Sequence, residues 1–221
     1  MGFFALFLVL VRNPRVHADP ANDFATYQIL TLCDTCQVII LGERHGQAES
    51  PPLFLELVQQ LIERGERLLV GLEIIDSKQD ILDAALEGRG TPAGVAYPVI
   101  DSVYYQEMLR TLSQFQNIAK SSRMAVVAID NLDDSNHLTR DQAMAITIKT
   151  HLDTGYYDRA VVLVGNFHAI LKMCWDKELL GNPLFLAELL ADSGIHVKSV
   201  IQDLDIPCDR LRRPTFHRIT D

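Results

Sequence analysis

Short apolar runs alternate along this chain with segments whose apolar residues recur every three or four positions. Residues 38–41 (VIIL), 68–72 (LLVGL), 124–129 (MAVVAI) and 160–164 (AVVLV) are apolar almost throughout, and 197–201 (VKSVI) is a fifth run of mixed character. Such runs predict strands buried on both faces, as in a parallel sheet. Between them, Leu53, Phe54, Leu57, Val58 and Leu61 keep helical spacing after Pro52, with Ser50 and Pro51 before it. Ile81, Leu82, Ala85 and Leu86 do the same after a candidate cap at Ser77. A helical period returns over 103–119, another runs from a cap at Thr139 to about 152, and a further helix is predicted from Asn182-Pro183 through Leu190. Residues 88–97 are rich in Gly and Pro and read as a loop, and the basic tail after Pro207 has no clear period. Strand–helix alternation with long connections predicts an α/β fold with a mostly parallel central sheet flanked by helices.

The chain has 221 residues, which fits one domain. Its formal net charge of −9 and its 7% aromatic content exclude nucleic acid as an expected partner, since phosphate binding needs a basic face. Residues 3–11 (FFALFLVLV) are too short to span a bilayer and match the apolar core of an export signal. With small Ala18 at the cleavage position, residues 1–18 are read as a signal peptide and 19–221 as the mature domain, periplasmic or secreted. The first cysteine is Cys33, so a lipoprotein anchor is not expected. Cys33 and Cys36 form a C-x-x-C ahead of an apolar strand, not at a helix start, and no second C-x-x-C completes a zinc set. They are read as a local disulfide or two inert thiols.

In parallel sheets, working residues gather at the carboxyl ends of strands. Here the first strand ends in Gly42-Glu43-Arg44-His45, the second in Glu73, the third in Asp130-Asn131 and the fourth in Gly165-Asn166-Phe167-His168. Two G-x-x-H segments therefore face one end of the sheet. Glu43 and His45 are two apart, so extended backbone aims both the same way. Three chemistries suit Glu43, His45, Glu73 and His168: a divalent metal site, an acid/base pair in which a carboxylate sets the state of His45, or a haem pocket with His45 or His168 beside the iron. Arg140 either opens a helix beside Asp141 or reaches the cleft to hold a ligand's carboxylate or propionate. Tyr104, Tyr105, Tyr156 and Tyr157 are read as core or rim residues rather than iron ligands.

Residues 38–43 with His45, Glu73, the stretch Arg140-Asp141-Gln142-Ala143-Met144-Ala145 and VVLVGNFHA at 161–169 together resemble the ChaN-like family. That family comprises haem-binding, iron-regulated proteins within the wider superfamily of erythromycin esterase, Tiki and TraB proteins. The resemblance spans roughly residues 25–205 and carries over Gly42, Glu43, His45, Glu73, Arg140, Asp141, Met144, Gly165, Asn166 and His168. It implies an accessory helical segment on the α/β core, haem bound in the cell envelope for iron uptake, and a homodimer that sandwiches the cofactor. Its esterase branch implies a His/Glu pair that activates water, and its Tiki branch a metal-dependent protease. No haem-ligating Tyr is carried over, and Gly46 with Glu49 after His45 leans toward the esterase branch.

Overall fold

The computed structural model describes residues 20–118, 123–132, 137–171, 184–202 and 216–219. The apolar runs are strands β1 (Val38–Glu43), β2 (Leu68–Ile75), β3 (Met124–Asp130), β4 (Arg159–Gly165) and β5 (Val197–Gln202), and a short β6 (Phe216–Ile219) follows. Sheet order is β3-β2-β4-β1-β5-β6, parallel throughout except for antiparallel β5–β6. Helices α1 (Pro20–Cys33), α2 (Ser50–Glu63), α3 (Gln79–Leu86) and α4 (Val103–Ile118) pack on one face, and α5 (Arg140–Asp153) and α6 (Leu186–Asp192) on the other.

The two faces explain the wholly apolar strands. Ile39 and Leu41 of β1 join Leu53, Phe54, Leu57 and Leu112 in one core, while Val38 and Ile40 join Met144, Ile148, Leu186 and Leu190 in the other. Alternate side chains of one strand thus enter opposite cores, and no position is left for a polar residue. Crossovers from β1 to β2 and from β2 to β3 run along one face, and those from β3 to β4 and from β4 to β5 return along the other. The direction of travel reverses between β1 and β4, which opens a crevice at their carboxyl ends.

Several boundaries differ from the sequence reading. Pro51 and Pro52 both lie in the first turn of α2, where their missing N–H groups have no intrahelical partner to lose. Ser77 does not cap α3; a 3-10 turn at Asp76–Lys78 intervenes, and Lys78 stands at the cap with its side chain donating to Gly94 and Val95 C=O instead of capping the helix. Thr139 does cap α5: its hydroxyl accepts from Gln142 N–H and the Gln142 side chain accepts from Thr139 N–H. Helix α1 was not predicted, and buries Ile29, Leu30, Leu32 and Cys33 against α2 and the sheet. Strand β6 was not predicted either, because four residues in a basic tail become a strand only by pairing with the edge of β5. The signal-peptide reading of 1–18, the helix start at 182–183, Cys174 and Cys208 lie outside the described residues. No described helix is long and apolar enough to cross a membrane.

Candidate active site

Parallel pairing sets Glu43 at the end of β1 opposite Gly165 at the end of β4. Beyond Glu43 the chain turns through Arg44-His45-Gly46-Gln47, closed by Gln47 N–H donating to Arg44 C=O (3.2 Å), with Gly46 in the left-handed region (φ 77°). The turn folds His45 back so that its Nδ1 lies 3.0 Å from Glu43 Oε1. Beyond Gly165, Asn166 ties three strand ends together. Its N–H donates to Glu43 C=O (3.1 Å), its Nδ2 to Gln202 C=O (3.0 Å), and its Oδ1 accepts from Gln202 N–H (3.0 Å). Gly42 permits this knot, since a Cβ there would stand 2.8 Å from Asn166 Oδ1 and 3.0 Å from its Cα. A tight turn, His168 N–H to Gly165 C=O at 3.0 Å, then brings His168 over the cleft.

Glu73, 4% exposed, is the centre of the arrangement. One oxygen accepts from Gly165 N–H (2.7 Å) and the other from an Arg140 Nη (2.9 Å). The two imidazoles approach it from either side, His45 Nε2 at 3.7 Å from Oε2 and His168 Nε2 at 3.5 Å from Oε1. His168 Nδ1 is 2.7 Å from Asp141 Oδ1, which also accepts from Leu186 N–H at the start of α6 (2.7 Å). Arg140 donates from Nε to Asp130 (3.0 Å) and from Nη to both Asp130 and Glu73, while Tyr97 donates to Asp130 and lies under the guanidinium, 5.6 Å from ring centre to Cζ. Gly165 lets the imidazole lie close, because a Cβ there would stand 2.9 Å from His45 Nε2 and displace the ring.

The four side chains predicted from strand ends, Glu43, His45, Glu73 and His168, therefore share one cleft. Arg140 reaches it as well, but its Nε and one Nη are committed to two buried carboxylates. Three further participants join those four side chains. The resemblance carries Asp141 without a role, while the sequence reads Asp130 only as a strand end and Tyr97 as part of a loop. Tyr105 of α4 is a fourth: it is buried, its hydroxyl has no hydrogen-bond partner among the described residues, and its pKa is raised by burial and by the charges of Glu43 and Glu73.

The environments raise both imidazoles, His168 strongly. Burial disfavours the charged form of His168, yet Asp141 and Glu73 outweigh burial and raise its pKa to about 9. Burial also opposes the imidazolium of His45, and Glu43 with the Glu73 charge reverses this to a rise above the ordinary 6.5. For Glu73, burial favours the neutral acid, but His168, the Gly165 N–H and His45 lower its pKa to about 2.

These shifts set a stability window. A raised His168 stabilises the fold fully below 6.5 and loses that contribution as pH rises through about 9. A lowered Glu73 stabilises above 4.5 and loses its contribution as pH falls toward about 2. Urea midpoints are therefore expected to be highest between these limits and to fall on both sides. In His168→Gln the alkaline decline should shrink, which chemical denaturation across pH will show.

Among the described residues, no group of three or more His, Cys, Asp and Glu side chains is arranged to hold a metal ion. Both oxygens of Glu73 already accept short bonds, and the neighbouring Arg140 repels a cation. As they stand, these groups form a hydrogen-bonded proton network.

No protein-family model and no curated protein matches the chain. Solved structures do. A Bacillus cereus protein aligns over 83% of this chain and 69% of its own at 13% identity, with a TM-score of 0.56. Two bacterial protein toxin structures align over 89% and 91% of this chain, at 17% and 15% identity and TM-scores of 0.51 and 0.50. The chain spans only 38% and 42% of those toxin chains. At such identities the likeness is one of fold: an α/β sheet of this topology recurs in larger bacterial proteins.

Proposed function

We propose that the protein is a hydrolase of acyl bonds, in which His45 is the general base and His168 the cationic partner. One observation carries the reading. Two imidazoles aim Nε2 at a single cleft, each Nδ1 is held by its own carboxylate, and His168 is the one held strongly cationic. A pair of titratable groups separated in this way is how one site supplies both acid and base near neutrality.

In the proposed reaction, Glu43 accepts the Nδ1 proton of His45 and so leaves Nε2 as the acceptor. A water held between His45 Nε2 and Glu73 attacks the carbonyl carbon, and its proton passes to His45. The developing oxyanion is met by the Nε2–H of His168, whose charge Asp141 stabilises. Collapse breaks the acyl bond, and His45 returns its proton to the departing alcohol or amine. Arg140 and the Gly165 N–H hold Glu73 ionised in place.

A panel of simple esters, lactones and peptides, assayed with the purified full chain, tests this reading. Turnover of at least one acyl class, rising with pH as His45 deprotonates, is expected. Failure to hydrolyse any class, or a Soret band on adding micromolar haemin to a chain without hydrolytic activity, would favour the haem-binding expectation instead.

A further inference from the structure

The C-x-x-C pair lies at the other end of the sheet from this cleft. Cys33 is the last residue of α1, and Gln37 alone separates Cys36 from β1. A turn joins them, with Cys36 N–H donating to Cys33 C=O at 3.3 Å. Such a turn holds the outer Cα atoms within about 7 Å, the span a disulfide needs. Both cysteines are free thiols and buried.

A helix carboxyl end is ordinarily a poor place for a thiolate, because the exposed carbonyls repel it. Here Arg159, the first residue of β4, reverses the local field. Its Nη1 donates to the carbonyls of both Cys33 and Cys36 and lies 3.8 Å from Cys36 Sγ. Glu66 fixes the guanidinium from the far side, with Nε to Oε2 at 2.7 Å. The bond from Cys33 and the charge of Arg159 outweigh burial and lower the Cys36 pKa, while the same bond and burial raise that of Cys33. The two sulfurs are thus inequivalent, and Cys36, at 7% exposed against 0%, is also the less enclosed.

We propose that Cys33 and Cys36 form a redox-active dithiol that exchanges with a small-molecule disulfide such as oxidised glutathione. The Cys36 thiolate attacks one sulfur of glutathione disulfide; a mixed disulfide forms and one glutathione thiolate leaves. Cys33 then attacks Cys36 Sγ, loses its proton to the departing thiolate and releases the second glutathione. The protein gives up two electrons and two protons, and the disulfide is reduced to two thiols. Closure links the end of α1 to the start of β1 without touching the cleft.

The test uses the full chain with Cys174→Ser and Cys208→Ser. In oxidised glutathione its intact mass should fall by two hydrogen atoms, and dithiothreitol should reverse this. On that background Cys33→Ser should accumulate a glutathione adduct on Cys36 about tenfold faster than Cys36→Ser accumulates one on Cys33. Alkylation and peptide mapping of the unsubstituted chain should place the new disulfide between Cys33 and Cys36, independently of how the variants fold. Unchanged mass in a protein folded by circular dichroism, equal adduct rates at the two positions, or oxidation only between molecules would each overturn the proposal.

Discussion

His45→Ala is expected to lower kcat/KM by about 10²- to 10⁴-fold on any acyl substrate the wild-type chain turns over, the range for loss of a general base. A quarter of its side chain is open to solvent, more than for Glu43, Glu73 or His168, so removal leaves the cores intact. A purely structural imidazole would behave otherwise. It would serve only to pair the buried Glu43, and its loss would show as about 1–3 kcal/mol of stability with no separate effect on turnover. Kinetics beside urea denaturation separate the two. Gly165→Ala offers a second route to the same atom, since its new Cβ would crowd His45 Nε2 from 2.9 Å. The ring can swing away, so the cost should appear as misplacement, about 10²-fold in kcat, more than as stability.

Arg140→Ala is expected to have the largest effect on stability. It would leave Asp130, wholly buried, and Glu73, nearly so, without their shared cation. Breaking such a pair costs about 3–5 kcal/mol. The guanidinium side chain is 40% exposed, which puts the expectation at the lower end, about 3 kcal/mol. In a domain of this size that corresponds to roughly 10 °C in Tm. Arg140→Lys should recover only part, because an ammonium cannot bridge both carboxylates in the forked geometry. A loss below about 0.5 kcal/mol, the scale of an exposed pair, would mean that water already screens the two acids.

The sheet was legible because both of its faces are covered. A strand with neighbours on each side admits few polar residues, and residues 38–41 and 160–164 therefore stand out as unbroken apolar runs. The cleft was legible for a related reason: polar residues directly after such runs, Glu43, His45, Glu73 and His168, have only the strand ends to occupy. The contacts that set their chemistry were not legible. Asp141 meets His168 across 27 positions, and Tyr97 meets Asp130 across 33. Both contacts depend on where α5 and the loop before α4 lie over the sheet, which no local period encodes. Arg140 was readable either as a helix-end residue or as a cleft residue, and its place against Asp130 depends on the same packing. Tyr105 followed helical spacing like any core residue, and nothing in the sequence distinguishes a buried phenol without a partner from one that has one.

Nitrogen-15 NMR of the imidazole rings, followed across pH in the full chain, tests the central claim that His168 stays cationic where His45 can serve as a base. The account predicts that His168 keeps both ring protons until pH approaches about 9, while His45 loses its second proton at lower pH and stays protonated at Nδ1, toward Glu43. If His168 titrates at or below the ordinary 6.5, or holds its second proton no longer than His45 does, the acid/base assignment is contradicted.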